Sequence, residues 1–296
     1  MIDRQVRKGF LLALLASMAF AFYGPATRGA YADGVSASFI ILFTTFWRAA
    51  SLGAETVRRR QSLFATADAR RMACIGGFAQ ALSIIGILGA LAYLPAPVMQ
   101  TMLFFATIIL MLLAVAKGEA RLNAANILTT GVTIIALTFV VNVWHVETTY
   151  SASGYALGVL AVLATAGRVY VYGHQTKTRD PVVVGAESFL VAFGLLLLLL
   201  LFLPLDVPGS SAGWFYAVLA ALSLVLGTFG MLYSLSLIGS FRFSLMAKSE
   251  VMFNAVISVL LLGEMLEWHQ YAGMAIAAVT LALYQVYETR QKAQQA

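Results

Sequence analysis

Charged residues are scarce in this sequence, and hydrophobic residues dominate it. Only 11% of the 296 residues are charged, whereas 61% are hydrophobic. Soluble proteins carry about 25% charged residues. So little polar surface cannot cover a water-soluble globule of this length, and the chain must therefore use lipid as its solvent. This excludes a soluble enzyme, a nucleic-acid binder and a disordered protein.

Residues that bind metals or form disulfides are nearly missing. Cys74 is the only cysteine, so the chain has no intrachain disulfide and no cysteine-based metal cluster. The histidines lie far apart in sequence, and neither an H-E-x-x-H motif nor a G-x-x-x-x-G-K-[ST] motif occurs. We therefore expect no metal and no cofactor, and we do not expect ATP to be the energy source.

Long apolar runs predict an all-α, polytopic membrane protein with ten transmembrane helices. A membrane helix needs about 20 mostly apolar residues. The runs are 9–27, 34–54, 72–93, 97–116, 122–143, 153–172, 182–203, 213–236, 241–262 and 269–287. The uncharged stretch 72–116 is divided into two spans because Pro95 and Pro97 would break a continuous helix.

Basic residues are concentrated on one side of these spans. With ten spans both termini share a side, and its loops and tails carry Arg4, Arg7, Lys8, Arg58, Arg59, Arg60, Arg70, Arg71, Lys117, Arg121, Lys177, Arg179, Arg290 and Lys292. Arg28 is the only basic residue assigned to the opposite loops. Because basic loops stay in the cytoplasm, we expect both termini there, and the net charge of +6 follows from this bias. The first apolar run is long enough to be a span rather than a cleaved signal peptide.

The sequence also resembles itself after a shift of 145 residues. Three spans then coincide, and the Gly-Glu pair at 118–119 falls on the Gly-Glu pair at 263–264. Each half, 9–143 and 153–288, holds five predicted spans, and an odd number inserts the second half upside down. Inverted repeats around a central cavity are typical of secondary transporters, with the substrate site near the midplane between the halves.

Several short stretches carry a resemblance to a known family. They are the two Gly-Glu pairs, Leu261-Leu262-Gly263-Glu264, Phe46-Trp47-Arg48-Ala49-Ala50 and Phe22-Tyr23-Gly24-Pro25. With the five-plus-five arrangement, they resemble the EamA-like ten-helix exporters of the drug/metabolite transporter (DMT) superfamily. The first half departs from the pattern, because Lys117 stands where the family has leucine.

The resemblance implies a multi-pass permease of the bacterial inner membrane that exports small metabolites, with amino acids as the leading expectation. Nucleotide-sugars, nucleobases and drugs are the alternative substrates. An intramembrane enzyme is a distant alternative, because no cluster of Asp or His is present to hold a metal or phosphate. The expected partners are a small-molecule substrate and membrane lipids, with no nucleic acid, and the sequence leaves the oligomeric state open.

Ionisable residues within the ninth span are the first candidates for a substrate site. Burying such a group in lipid costs at least about 2.5–3.5 kcal/mol, so it usually has a function. Lys248 and Glu250 lie near the middle of the membrane and are roughly 200° apart on a helix, so they do not readily pair with each other. Each then either forms a fixed salt bridge to another helix or lines the substrate path. Asn254 shares a helix face with Glu250.

Three further charged residues lie in other spans. Arg48 either binds a carboxylate or extends to the cytoplasmic headgroups. Arg168 is close to the predicted end of its span, so we expect it to extend to the headgroups. Glu187 could pair with a cation, bind an amine or act as a structural counter-ion, and the last role is favoured.

Neutral candidates complete the expected site. Gln80 and Gln100 can bind substrate, although hydrogen bonding between helices is the commoner role. Tyr23 and Trp47 are the preferred aromatic cavity residues because they adjoin a helix break and Arg48. Gly24-Pro25 is the expected hinge, since proline frees a backbone carbonyl inside the first span.

The expected charges favour a zwitterionic substrate. Lys248 and Arg48 are offset by Glu187 and Glu250, whereas a phosphate-bearing substrate would need a larger excess of cations. Proton coupling through either glutamate and simple facilitated export both agree with this set.

Overall fold

The computed structural model describes residues 2–120, 123–145, 151–200, 203–263 and 265–294. In these ranges every element of regular secondary structure is a helix. The helices are α1 Ile2–Ala21, α2 Tyr23–Ala32, α3 Ala37–Arg58, α4 Ala67–Leu91, α5 Ala96–Ala116, α6 Ala124–Val140, α7 Ala152–Gln175, α8 Pro181–Leu200, α9 Ser211–Met246, α10 Ser249–Leu262 and α11 Trp268–Gln294, with a 3₁₀ turn at Val143–His145.

Much of this helical structure has the length and composition of membrane spans. Among the described residues, 7 helical stretches are long and apolar enough to cross a membrane, with α1 and α2 together forming the first of them. The apolar helices α6 and α10 are shorter. Large apolar side chains such as Leu260, Leu226 and Leu283 are exposed on the outside of the bundle, where lipid would cover them. The all-α fold is confirmed, and the number ten stays a prediction.

Polar side chains and prolines set the helix ends. Ser36, Thr66, Asn123 and Ser210 each accept a hydrogen bond from a backbone N–H in the first turn of the helix that follows. These bonds satisfy donors that have no partner within the helix. The predicted division of 72–116 is confirmed, because α4 ends at Leu91 and α5 begins at Ala96.

The predicted ninth span is not one helix. Helix α9 continues through 211–246, with one non-helical residue at Gly239 (φ 79°, ψ 172°), a conformation that glycine adopts without strain. A turn at Ala247 and Lys248 then separates α9 from α10. Ser249 contributes to this break, since its hydroxyl donates to the Met246 carbonyl at 2.8 Å.

The helices pack around a core in which both halves of the chain take part. Helix α1 packs along α9, α4 along α7, α3 against α8 and α9, and α6 against α11. Tyr172, Phe189 and Leu232 are fully buried in the largest apolar cluster. Because α4 and α9 each pack on a helix of the other half, side chains from both halves converge near the centre.

Contacts between loops define two ends of the bundle. At one end, Arg59 Nη1 lies 3.2 Å from Asp180 Oδ2 and joins the end of α3 to the start of α8. At the other end, Ser210 Oγ donates to Asp33 Oδ2 at 2.7 Å and joins the start of α9 to the end of α2. The α3–α4 and α7–α8 connections thus lie at one end and the α2–α3 and α8–α9 connections at the other, as the predicted path of the chain through the membrane requires. Which end faces the cytoplasm stays a prediction.

Candidate functional site

A cavity of about 360 Å³ lies inside the bundle. It is lined by residues of α1–α5 and α7–α10 and of the turn before α10. This volume is at the small end of the range of about 300–1,000 Å³ for small-molecule sites. Its polar and ionisable lining residues are Tyr23, Thr44, Thr45, Arg48, Gln80, Ser83, Gln100, Thr165, Arg168, Thr228, Ser244, Lys248 and Glu250. The cavity therefore combines charged groups and hydrogen-bonding groups within an apolar bundle.

Arg48 points into this cavity rather than to the membrane surface. Its side chain is buried, with Nε 3.4 Å from the Thr44 carbonyl and Nη2 3.4 Å from Thr45 Oγ1. The guanidinium carbon lies 4.7 Å from the centre of the Phe189 ring, a cation–π contact. No carboxylate of the described residues forms an ion pair with Arg48. Its positive charge is thus held by neutral groups only.

Arg168 also lies in the cavity, contrary to the expectation that it extends to the headgroups. Helix α7 continues to Gln175, beyond the predicted end of the span, which places Arg168 deeper in the bundle. Its Nη1 donates to Gln80 Oε1 at 3.0 Å, and its Nε is buried with no hydrogen-bond partner in the described part of the chain. The cavity therefore contains two guanidinium groups.

Lys248 and Glu250 reach the cavity from the turn before α10 and from its first helical turn. Lys248 Nζ donates to the Leu103 carbonyl at 3.3 Å and lies 5.2 Å from the centre of the Phe104 ring. Within the described ranges the Glu250 carboxylate has no hydrogen bond and no ion pair, although it lines the cavity. As expected, Lys248 and Glu250 are not bonded to each other. Both are available to a ligand.

The neutral candidate residues of the cavity differ in whether their side chains are already hydrogen-bonded. Gln80 is occupied, because it accepts the hydrogen bond from Arg168. Tyr23 and Gln100 line the cavity, and their side chains make no hydrogen bond to any residue that the structure describes. The Tyr23 hydroxyl and the Gln100 amide can therefore bind a ligand without first breaking a bond.

Glu187 does not line the cavity, contrary to its place among the candidates. It is fully buried, and both carboxylate oxygens accept hydrogen bonds from Arg179 Nη2 at 2.8 Å. It also accepts a hydrogen bond from the Phe64 backbone N–H at 2.6 Å. Glu187 thus fastens the α3–α4 connection to α8 and acts as the structural counter-ion that the sequence favoured.

Trp47 is also outside the cavity. It is 45% exposed and packs against Phe43 and Phe46 on the outer face of α3. Adjacent residues of a helix point about 100° apart, so the turn that directs Arg48 inward directs Trp47 outward.

Asn254 and the Gly24-Pro25 pair are joined at the break between α1 and α2. Pro25 has no N–H, so the carbonyl of Ala21 lacks its normal helical donor. Asn254 Nδ2 donates to that carbonyl at 3.0 Å. A Cβ atom on Gly24 would lie 2.5 Å from Asn254 Nδ2, so glycine makes room for the amide. The expected break is present, and its motion stays a prediction.

The Gly-Glu pair of the first half lies apart from the cavity. Glu119 forms an exposed ion pair with Lys177, with 2.5 Å between Oε1 and Nζ. This is the loop pairing expected of it. Glu264 lies outside the described residues.

The second half of the chain is similar to a known family of proteins. Residues 152–285 match the EamA-like transporter family. This EamA-like segment begins with the first residue of α7, so Arg168, Lys248 and Glu250 all belong to it. No curated protein matches the chain.

A solved structure, described only as a "Crystal structure of protein", has the same fold. It superposes with a TM-score of 0.80 at 12% sequence identity, over 96% of this chain and 98% of that chain. At this identity the likeness concerns the fold alone. Together with the apolar helices, the EamA-like segment indicates a multi-pass membrane protein.

The internal repeat of the sequence contains a signal that Arg168 lies in the cavity. The shift of 145 residues places Tyr23 on Arg168 and Ser83 on Thr228, and all four line the cavity. Applying the repeat to the polar residues, and not only to the span boundaries, would have placed Arg168 in the site.

Proposed function

We propose that the protein is a secondary transporter that exports small metabolites, with amino acids as the leading substrate class, across the bacterial inner membrane by alternating access. The observation that carries the proposal is the cavity inside the bundle, in which Arg48, Arg168 and Glu250 lack fixed ion-pair partners among the described residues. Buried charges that only maintain a fold are normally paired with each other. Charges left available in a small cavity fit a charged ligand.

The packing of the bundle supports an arrangement of two inverted five-helix repeats, 9–143 and 153–288. Helix α1 packs on α9, and the helices that correspond to them after a shift of 145 residues, α7 and α4, also pack on each other. A Cβ atom on Gly9 would meet Ile238 at 2.5 Å, and one on Gly154 would meet Tyr93 at 2.7 Å. These two contacts exchange under the same shift, which supports a common ancestor for the halves and a rocking motion about the cavity.

The charges of the cavity support an amino acid as the ligand. A guanidinium can bind the α-carboxylate through two parallel hydrogen bonds. Glu250 can accept hydrogen bonds from the α-ammonium, and Tyr23 and Gln100 can bind the remaining polar atoms. The cavity volume of about 360 Å³ is at the small end of the range for small-molecule sites, which favours an amino acid over a larger nucleotide-sugar.

Counterflow in liposomes tests this proposal. Purified protein is reconstituted into vesicles loaded with a mixture of unlabelled amino acids, and entry of each labelled amino acid is measured. We expect accumulation of at least one amino acid, and its loss in the Arg168→Gln variant. Arg58→Gln is the matched control, because Arg58 is exposed at the end of α3 and outside the cavity. No counterflow of any amino acid, together with counterflow of a nucleotide-sugar or nucleobase, would overturn the amino-acid assignment.

The proposed location follows from the distribution of charge. Both termini and the loops after α3, α5 and α7 are assigned to the cytoplasm, because these segments carry most of the basic residues. No catalytic role is proposed for any residue.

A further inference from the structure

The cavity contains more positive than negative charge. Arg48, Arg168 and Lys248 line it, and Glu250 is the only carboxylate among its described lining residues. The second carboxylate expected there, Glu187, is bonded to Arg179 outside the cavity. The four groups together carry a net charge of +2, so a neutral zwitterion leaves both positive charges uncompensated. An anionic group beyond the α-carboxylate would compensate one of them.

Arg168 and Glu250 together fit the head of an amino acid. The two groups attract each other electrostatically, and both face the same cavity. Arg168 donates to Gln80 through Nη1 only, so its remaining N–H groups can bind a carboxylate. Glu250 can accept from the ammonium group beside it. This pair would hold one carboxylate and one ammonium.

None of the described carboxylates forms an ion pair with Arg48. It is repelled by Arg168, and its own bonds go to neutral oxygens at 3.4 Å, which is long for a hydrogen bond. Its Nη1 atom has no hydrogen-bond partner among the described residues. A guanidinium cannot lose its charge in a protein, so a ligand with an acidic group can supply the missing negative charge. The Tyr23 hydroxyl lies close enough to Arg48 to interact with it electrostatically and can donate to the same ligand group.

We propose that Arg48, with Tyr23, binds a second acidic group of the substrate, so that the transporter selects dicarboxylic amino acids over neutral ones. The proposal rests on the proposed function, because it names the substrate class of the same cavity. Arg168 and Glu250 bind the α-carboxylate and α-ammonium, and Arg48 binds the side-chain carboxylate. Lys248, held by the Leu103 carbonyl, adds positive potential.

The test compares ligands that differ in one charge. Vesicles containing the purified protein are assayed for counterflow of glutamate, aspartate, glutamine and asparagine. Wild-type protein should transport each acid at least about tenfold better than its amide, the factor expected for one charged hydrogen bond. Arg48→Gln should remove this preference, because it should lower transport of the acids at least about tenfold more than transport of the amides. Arg58→Gln, which alters an exposed arginine, should keep the preference.

Failure of this inference can be distinguished from failure of the proposed function. Equal transport of acids and amides by the wild type, or an equal loss of both in Arg48→Gln, overturns the selectivity of Arg48 and leaves an amino-acid transporter. Absence of counterflow for all amino acids overturns both. If Arg48→Gln does not fold, Arg48→Lys is used in its place. The ratio of glutamate to glutamine counterflow in the wild-type protein still tests the preference for acids.

Discussion

Asn254 of α10 donates a hydrogen bond to the backbone carbonyl of Ala21, at 3.0 Å from Nδ2, where α1 ends. That carbonyl is free because Pro25, four residues later, has no N–H to offer it. The break in the first half is thus held by a side chain of the second half. Helix α10 also carries Glu250, so one short helix contacts both the break and the cavity.

The contact between Gly24 and Asn254 can be tested by adding one methyl group. In Gly24→Ala the new Cβ would lie 2.5 Å from Asn254 Nδ2, so the amide must move and its bond to Ala21 is lost. We expect a lower melting temperature of the purified protein, with a loss of about 1–3 kcal/mol for the unsatisfied carbonyl. Gly53→Ala is the control, because a Cβ at Gly53 meets no atom within 4 Å. Equal melting of the two variants would show that the contact contributes nothing.

Glu187 is predicted to be needed for folding rather than for transport. Glu187→Leu leaves Arg179 without its carboxylate and the Phe64 N–H without its acceptor. Removing one partner of a buried ion pair costs about 3–5 kcal/mol, so we expect poor expression and early melting. Changing Arg179 to leucine in the same protein should recover part of the stability. A Glu187→Leu protein that melts like wild type but does not transport would place Glu187 in the substrate path after all.

Lys248 is predicted to be needed for transport rather than for folding. It has no ion-pair partner among the described residues, and its hydrogen bond goes to the Leu103 carbonyl. Lys248→Met keeps the length of the side chain and breaks no ion pair, so melting should stay close to that of wild type. Counterflow should fall strongly because the cavity loses one positive charge. A stable variant with full counterflow would remove Lys248 from the site.

The orientation in the membrane can be tested with single cysteines. In a Cys74→Ala background, Arg59→Cys and Glu267→Cys are treated with a membrane-impermeant maleimide in intact cells. Arg59 lies at the end of α3 and Glu267 just before α11, at opposite ends of the predicted topology. Only the cysteine at position 267 should react before lysis, and both should react after it. Reaction at position 59 in intact cells would reverse the assigned orientation.

Most helices could be predicted from the sequence because each depends on a local signal, whereas the break at Ala247 and Lys248 within the ninth span could not. An apolar run predicts a span, and Pro95 and Pro97 predict the break between α4 and α5, which the structure confirms. The presence of a charge within an apolar span also identifies Arg48, Lys248 and Glu250, and all three line the cavity. A charge inside an apolar run is visible without knowledge of the fold.

Side-chain direction and partners depended on contacts that the sequence does not show. Arg168 was misplaced because α7 continues three residues past the last apolar residue used to end the span, to Gln175. Glu187 is a cavity candidate in the sequence because its ion-pair partner cannot be recognised there. That partner, Arg179, lies before the start of α8, and the turn between them brings the two side chains together. Trp47 was included for its position beside Arg48, although neighbouring residues face different sides of a helix.

The most direct test of the account is counterflow of a labelled amino acid by the Arg168→Gln variant beside the Arg58→Gln control. Arg168 lines the cavity, and its buried Nε has no hydrogen-bond partner among the described residues, whereas Arg58 is exposed and pairs with Glu55. Both changes remove one arginine charge, so a difference between them reports on the cavity. We predict that Arg168→Gln melts within a few degrees of wild type and loses at least about 90% of counterflow, the tenfold drop expected from one charged hydrogen bond, while Arg58→Gln keeps its activity. Full counterflow by a folded Arg168→Gln protein would contradict the assignment of this cavity as the substrate site.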